Sequence, residues 1–421
     1  MDQGNTAFIL IAAALVLLMT PGLAFFYGGL VKAKSVISMM MMSFGALGLI
    51  GVLWVLYGYA IAFPGAEGTV APWSIDGNAL GLNSLIEVPE GAAYPPLAFV
   101  AFQATFAIIT VALVSGAIAD RAKFGSWMIF AGLWATIVYF PVASWVFNFG
   151  LAEDGSFAYG GWLTHGLQDI FGVGTIDFAG GTAVHINAGA AALALALVLG
   201  KRVGFAKGVS VPHNPPFVLL GAGLLWFGWF GFNAGSELAA DGTAALAFVN
   251  TIAAPAAALL AWLLVEKIKD GKPTSVGAAS GAVAGLVAIT PACGSLTPGW
   301  AVVLGLVAGA VCALAIDLKF KLGFDDSLDV VGIHLIGGLI GTLYLGFFAN
   351  GTGLVYSGEF TQLLVQAIAA LSVLLYSFVL AFIIGFAIEK TIGFRVKNED
   401  EIAGIDTVIH GEEGYVLVDA R

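Results

Sequence analysis

The sequence predicts an all-α integral membrane protein of eleven transmembrane spans: two inverted five-span repeats, then one long last span. Three observations carry this. Hydrophobic residues make up 59% of the 421 and charged residues only 10%, where a soluble domain carries about 25% charged residues. Eleven apolar stretches reach or approach the roughly 20 residues a helix needs to cross a bilayer. All 16 Lys and Arg fall in alternate connections between those stretches or in the tail. The 57 glycines agree, because lipid gives helices no hydrophobic drive to associate and small residues let their backbones approach closely.

The predicted spans are residues 6–31, 35–63, 97–119, 124–149, 178–200, 216–235, 244–265, 275–291, 299–318, 330–349 and 362–388. The eighth is short, with Pro291 and Gly294 ending it early. Basic residues follow every odd span: Lys32 and Lys34; Arg121 and Lys123; Lys201, Arg202 and Lys207; Lys267, Lys269 and Lys272; Lys319 and Lys321; and Lys390, Arg395, Lys397 and Arg421. The loops 64–96, 150–177, 236–243, 292–298 and 350–361 have none. Positive charge stays on the cytoplasmic side, so the amino terminus is expected outside and the tail inside. Met1 to Thr6 lacks a basic n-region, so no cleavable leader is expected. The outer loops carry Glu67, Asp76, Glu87, Glu90, Glu153, Asp154, Asp169, Glu237, Asp241 and Glu359. Such a face either concentrates cations or is simply a solvated surface, and both readings stay open.

Spans 1–5 and 6–10 read as two versions of one unit. Phe25-Phe26-Tyr27-Gly28-Gly29 in span 1 corresponds to Phe230-Gly231-Phe232-Asn233-Ala234-Gly235 in span 6. His185 followed by Gly189 in span 5 corresponds to His334 followed by Gly338 in span 10. An odd number of spans per unit turns the second upside down, and inverted repeats place substrate sites near the midplane between the halves. The divisions are residues 1–208 for repeat one, 209–349 for repeat two and 362–388 for the last span, together a membrane domain of 1–388. A cytoplasmic tail, 389–421, follows.

Ionisable groups inside spans are costly and mark substrate paths. His185 lies eight residues beyond Asp177, about 12 Å along a helix. His334 lies five beyond Asp329, about 7–8 Å in from the other side. A single such histidine would often be only an interhelical hydrogen bond, but two at equivalent positions point to a shared function. A neutral imidazole offers one donor and one acceptor, which suits a small hydrogen-bonding molecule or a proton relay. His165, His213 and His410 lie in loops and the tail. With no third histidine and only Cys293 and Cys312, apart and without a CxxC pair, no metal site, cofactor or disulfide is expected. Asp177 opens span 5, where a carboxylate suits the helix dipole, and is read as structural and orienting. Asp325, Asp326 and Asp329 are read as capping span 10. Phe102, Gln103 and Phe106 open span 3, Trp145 and Phe147 close span 4, and Trp229, Phe232 and Ser236 sit at the outer end of span 6. They form either a cation–π site beside a hydroxyl or part of the aromatic belt.

Five segments then resemble a known family. They are Asp177-Phe-Ala-Gly-Gly-Thr-Ala-Val-His185-Ile-Asn, Gly228-Trp-Phe-Gly-Phe-Asn-Ala-Gly-Ser236, Ala247-Phe-Val-Asn-Thr251, Thr290-Pro-Ala-Cys-Gly294 and Asp329-Val-Val-Gly-Ile-His334. They are similar, in order, to the ammonium transporter (Amt/Mep/Rh) family, in its bacterial type. The resemblance implies a homotrimer in the cytoplasmic membrane lipid bilayer, with one pore per subunit for ammonium, ammonia or methylammonium. It assigns Phe106, Phe147, Trp229 and Ser236 to an outer recruitment site, Phe106 and Phe232 to a gate, and His185 and His334 to a twin-histidine pair. Phe147 stands where the family often has Trp, which implies looser recruitment. Trp145 is no substitute, since two residues turn it about 200° away. The loop 150–176 is longer than the family's. Residues 389–421, with Gly404-Ile-Asp406 and His410-Gly-Glu, resemble its regulatory tail, on which a PII-type signal protein docks in bacterial relatives. No enzyme activity, cofactor or nucleic-acid partner is implied. The rivals are an ammonium sensor acting through the tail, a neutral ammonia or gas channel, and a generic amine or cation transporter. The last usually has a midmembrane carboxylate, and these spans hold none.

Overall fold

The computed structural model describes residues 1–65, 68–152, 157–205 and 211–415. Glu67, Glu153, Asp154, Lys207 and the last six residues of the expected tail, Arg421 included, lie outside the described residues. Ten described helices are long and apolar enough to cross a membrane: α1 (Gln3–Leu30), α2 (Ala33–Ala62), α3 (Pro96–Ile118), α4 (Phe124–Phe147), α5 (Gly181–Leu199), α6 (Pro215–Glu237), α7 (Gly242–Lys269), α9 (Pro298–Leu322), α10 (Val331–Phe348) and α11 (Thr361–Thr391). The eighth expected span is the exception. Helix α8 runs Ser275–Ile289, only 15 residues, or about 22 Å.

Local chemistry sets the helix starts. Asp2 caps α1, its carboxylate accepting from the Asn5 amide at 2.8 Å. Asn214 caps α6, accepting from the Phe217 amide at 3.1 Å, with Pro215 in the first turn, where its missing N–H does no harm. Asp241 caps α7 and Thr274 caps α8 in the same way.

The fold departs from all-α on the side where α2 ends and α5 begins. Strands β1 (Thr69–Val70), β2 (Phe149–Leu151) and β3 (Phe157–Gly161) form a sheet of order β1-β3-β2. There β3 is parallel to β1 and antiparallel to β2. The long loop after α4 supplies two of these strands. Period-2 alternation is faint in such short strands, so the sequence predicted only a loop.

Glycines bring the helices together. Helix α1 runs along α6, where a Cβ on Gly29 would lie 2.7 Å from the Asn214 carbonyl, and one on Gly231 would lie 2.7 Å from the Ala12 carbonyl. Helices α5 and α10 cross reciprocally. A Cβ on Gly189 would meet the Leu335 amide at 2.5 Å, beside His334, and one on Gly338 would meet the His185 Cβ at 3.1 Å. Each glycine stands four residues past its own histidine, so each admits the histidine-bearing turn of the other helix.

Both histidine helices begin the same way. A carboxylate stands eight residues before the histidine (Asp177, Asp326). A left-handed residue stands five before it (Gly180, φ +121°; Asp329, φ +62°). A π-helical turn then carries the histidine itself. This corrects the expected capping of α10. Of the three side chains only that of Asp326 accepts from the helix, from the Val331 amide at 2.7 Å. In the left-handed conformation Asp329 turns its carboxylate to Lys319 at 2.5 Å, and Asp325 is taken by Arg202 at 2.9 Å.

Candidate functional site

Asp177 builds the start of α5. One oxygen accepts from the amides of Gly180 (2.9 Å) and Gly181 (2.5 Å), the other from those of Thr182 (2.9 Å) and Ala183 (3.1 Å). The Thr182 hydroxyl also donates to it. The carboxylate is saturated by a helix terminus that carries partial positive charge, and it is buried away from the conduit described next. The next turn of α5 aims His185 inward.

Phe106 of α3 and Phe232 of α6 are stacked, with ring centroids 4.1 Å apart and planes 16° apart. Both are essentially inaccessible. Phe147 meets Phe106 edge-on at 6.1 Å, and Phe102 tilts onto it at 4.8 Å. Ser236, one turn beyond Phe232, donates its hydroxyl proton to the Phe232 carbonyl at 2.8 Å. Its oxygen lone pairs are left for another donor. Phe147 and Phe149 share an aromatic vestibule with Tyr59, Phe63, Tyr94 and Tyr159 of β3. Trp145 points elsewhere: its indole donates to the Pro72 carbonyl at 2.7 Å and its ring lies on Tyr376 at 4.6 Å.

On the far side of the stacked rings is a narrow cavity. Its walls are the apolar side chains Met19, Leu23, Phe26, Ile109, Leu113 and Val184, with His185, Trp229, Phe232 and His334. The two imidazoles meet there, Nδ1 to Nδ1, at 3.2 Å, with ring centroids 5.3 Å apart. His185 also stacks on Trp229 at 5.6 Å and lies 6.2 Å from Phe232. Trp229 therefore stands over the imidazole, inside the stacked phenylalanines, and not among the outer aromatics where the sequence grouped it. Thr290, at the end of α8, contacts both Trp229 and His185. Sequence reasoning quoted Thr290-Pro-Ala-Cys-Gly294 without giving the threonine a role. Phe26 and Met19 were also missed, because a lining apolar side chain looks like any other in a span.

The arrangement sets aromatic faces beside a narrow, mostly apolar cavity that contains a pair of hydrogen-bonding imidazoles. His165, which pairs with Asp169 at 3.2 Å, and His213 and His410 lie away from this cavity. No group of three or more His, Cys, Asp or Glu among the described residues could hold a metal.

Fold and site define the class: a multi-pass membrane protein with a narrow, mostly apolar cavity inside the chain. Residues 7–415 match the model of the Ammonium Transporter Family. The chain belongs to that family. It is 54% identical to an ammonium transporter of Mycobacterium tuberculosis over 98% of this chain and 90% of the relative. It is 42% identical to an ammonium transporter of Bacillus subtilis, with 99% of each covered. Among solved structures it is similar to Mep2 of Candida albicans (TM-score 0.84, 31% identity, 99% of this chain and 94% of that one). It is also similar to a sensor Amt protein (TM-score 0.86, 28% identity, 96% and 98% covered).

Proposed function

We propose that this protein takes up ammonium across the cytoplasmic membrane through a pore within each subunit. The observation that carries the reading is the sequence of environments along one line: aromatic vestibule, stacked Phe106–Phe232 pair, apolar cavity, His185–His334 pair. Ammonium is recruited between the π-face of Phe147 and the free lone pairs of Ser236. At the phenylalanine gate it loses a proton, because an unpaired charge at the bilayer centre is penalised by about 2.5–3.5 kcal/mol even on the lowest scales. Ammonia and the released proton then both cross near His185 and His334, the proton by way of the imidazole relay. Potassium has no proton to give up and is left behind. Trp229 and Thr290 hold His185 from the side.

The division into two inverted repeats with α11 outside them is supported by the matched approaches to His185 and His334. On this reading the short α8 also crosses, as the eighth of eleven spans. The amino terminus is outside, by the distribution of Lys and Arg. The homotrimer follows the family resemblance, and the apolar faces exposed on α7, α9 and α11 (Leu260 65%, Leu306 45%, Leu371 56% accessible) are left for lipid or for other copies.

The test is the current in proteoliposomes after an ammonium jump, with a potassium jump as control. Wild type should respond to ammonium and methylammonium and stay silent to potassium. Uptake of labelled methylammonium without any current would instead favour a neutral ammonia channel. If His185→Ala with His334→Ala leaves both selectivity and turnover unchanged, the relay is wrong.

A sensor role has one observation in its favour, the docked tail. The Asp406 carboxylate accepts from the amides of Ile37 (3.0 Å) and Ser38 (2.7 Å) at the start of α2. Buried Glu401 accepts from the Val203 amide at 2.6 Å and from Arg395 at 2.8 Å. A PII-type protein on this face would meet the tail and the cytoplasmic loops together. Retained ammonium signalling in a transport-dead His185→Ala variant would favour sensing as the main output.

A further inference from the structure

We infer that Thr290 is a positioning residue that fixes the tautomers of both imidazoles, making the pair a donor on its gate side and an acceptor on its far side. The inference deepens the twin-histidine reading above and rests on it for its meaning, though not for its geometry.

The argument counts hydrogens. Thr290 Oγ1 lies 2.7 Å from the Leu286 carbonyl oxygen. A carbonyl can only accept, so the single hydroxyl hydrogen is used there. Trp229 Nε1 lies 2.9 Å from the same Oγ1, and an indole N–H can only donate, so it takes one lone pair. The remaining lone pair faces His185 Nε2 at 3.4 Å. Thr290 has no hydrogen left to offer, so the hydrogen between them belongs to His185 Nε2. A neutral imidazole has one N–H, so His185 Nδ1 is bare. The Nδ1–Nδ1 contact at 3.2 Å then requires His334 to donate from its Nδ1, which leaves His334 Nε2 bare. One hydroxyl sets the tautomers of two rings.

The consequence for selection follows from the solute's own chemistry. Ammonia has a lone pair and can take the His185 N–H from its long contact with Thr290; ammonium and potassium have none and cannot. His334 Nε2 then accepts an N–H from the same small solute further on. The outer imidazole therefore selects for the deprotonated form, and the selection depends on Thr290 having no hydrogen to give.

The test is solid-state NMR of full-length protein with 15N-labelled histidine, reconstituted in phosphatidylcholine–phosphatidylglycerol vesicles. Ring nitrogens that carry hydrogen and those that do not give distinct signals, assigned with single-histidine deletions. Wild type should show hydrogen on His185 Nε2 and His334 Nδ1, with the opposite tautomers disfavoured about tenfold, as expected for one hydrogen bond. Thr290→Val should bring the two tautomers of His185 to about equal populations, and Thr290→Ser should restore the wild-type pattern. Trp229→Phe should keep it, since Thr290 still has no hydrogen free. Hydrogen on His185 Nδ1 in the wild type overturns the proposal, as does an unchanged pattern in a folded Thr290→Val. Should Thr290→Val not fold, the wild-type and Trp229→Phe spectra decide alone. The spectra are independent of transport, so failure of the relay in the double-alanine variant and failure of this assignment are separate results.

Discussion

Ser236 and Phe147 divide the proposed recruitment site between a lone pair and a π-face, and each gives a direct expectation. Ser236→Ala removes the acceptor, and a hydrogen bond to a charged group is worth about 1.5–3 kcal/mol. The concentration for half-maximal ammonium current should rise about tenfold or more. Phe147→Trp adds a stronger π-face at a buried position, so the same measurement should fall by about twofold or more. A rise in the tryptophan variant would mean that Phe147 faces away from the cation's path. At this scale the sequence was informative where a residue is costly in lipid: His185 and His334 stood out for that reason. It was silent on Thr290. The threonine's importance comes from its contacts with Trp229 of α6 and His185 of α5, and nothing within α8 announces it.

Helix α5 and helix α10 begin with the same device, in which a carboxylate folds back onto the amides of a π-helical turn. Such caps are worth about 0.5–2 kcal/mol each where one or two bonds are lost. Asp177 accepts four backbone bonds and one from a hydroxyl, so Asp177→Ala should sit at or above the top of that range. It should lower the thermal midpoint of the detergent-solubilised protein more than Asp326→Ala does. Equal effects would mean that the Asp177 cap adds nothing beyond its first bond. Periodicity and the Lys/Arg pattern made the helices readable, because apolar length is a demand of the bilayer itself. The eighth helix was expected to be short, and it does end at Ile289, just before Thr290 and Pro291. Two things were not readable. The outer sheet is built from strands of two to five residues, too short for a pattern. The partner of Asp177 in the second half is Asp326, not Asp329, since the eight-residue offset matters only once the left-handed residue at minus five is seen.

Across the whole molecule, the side that carries the basic connections is held by a buried ionic cluster that ties the connection after α5 to the one before α10. Arg202, after α5, donates to Asp325, before α10, through Nε and Nη2 at 2.9 Å each, and reaches Asp120 at 3.1 Å. Arg121 donates to the Asp325 carbonyl at 2.6 Å and to Ser327 at 2.5 Å. Removing one partner of a buried pair leaves a stranded charge at a cost of about 3–5 kcal/mol, so Arg202→Ala should express poorly or melt early. Burial pushes the Asp325 carboxyl up, but the Arg202 guanidinium outweighs it and holds the carboxyl below its usual range. A depressed carboxyl adds stability above its unfolded value and loses it as pH falls through the folded one. Melting temperature should therefore drop below about pH 4, and Asp325→Asn should flatten that drop while starting from a lower plateau. The alternation of Lys and Arg across connections revealed which ends gather on one side. It could not reveal that Arg202 and Arg121 are interior struts, because charge counting treats every cation as solvated.

The stacked rings of Phe106 and Phe232 also bear on the energetics of the cell. At 4.1 Å between centroids they leave no room for a water molecule between them, so in the proposed pore they would interrupt a file of water. Protons hop readily along such files, and a leak of that kind would short-circuit the membrane's electrochemical gradient. The aromatic seal would let a cell carry many copies of this pore in ammonium-poor surroundings without draining the gradient that drives uptake.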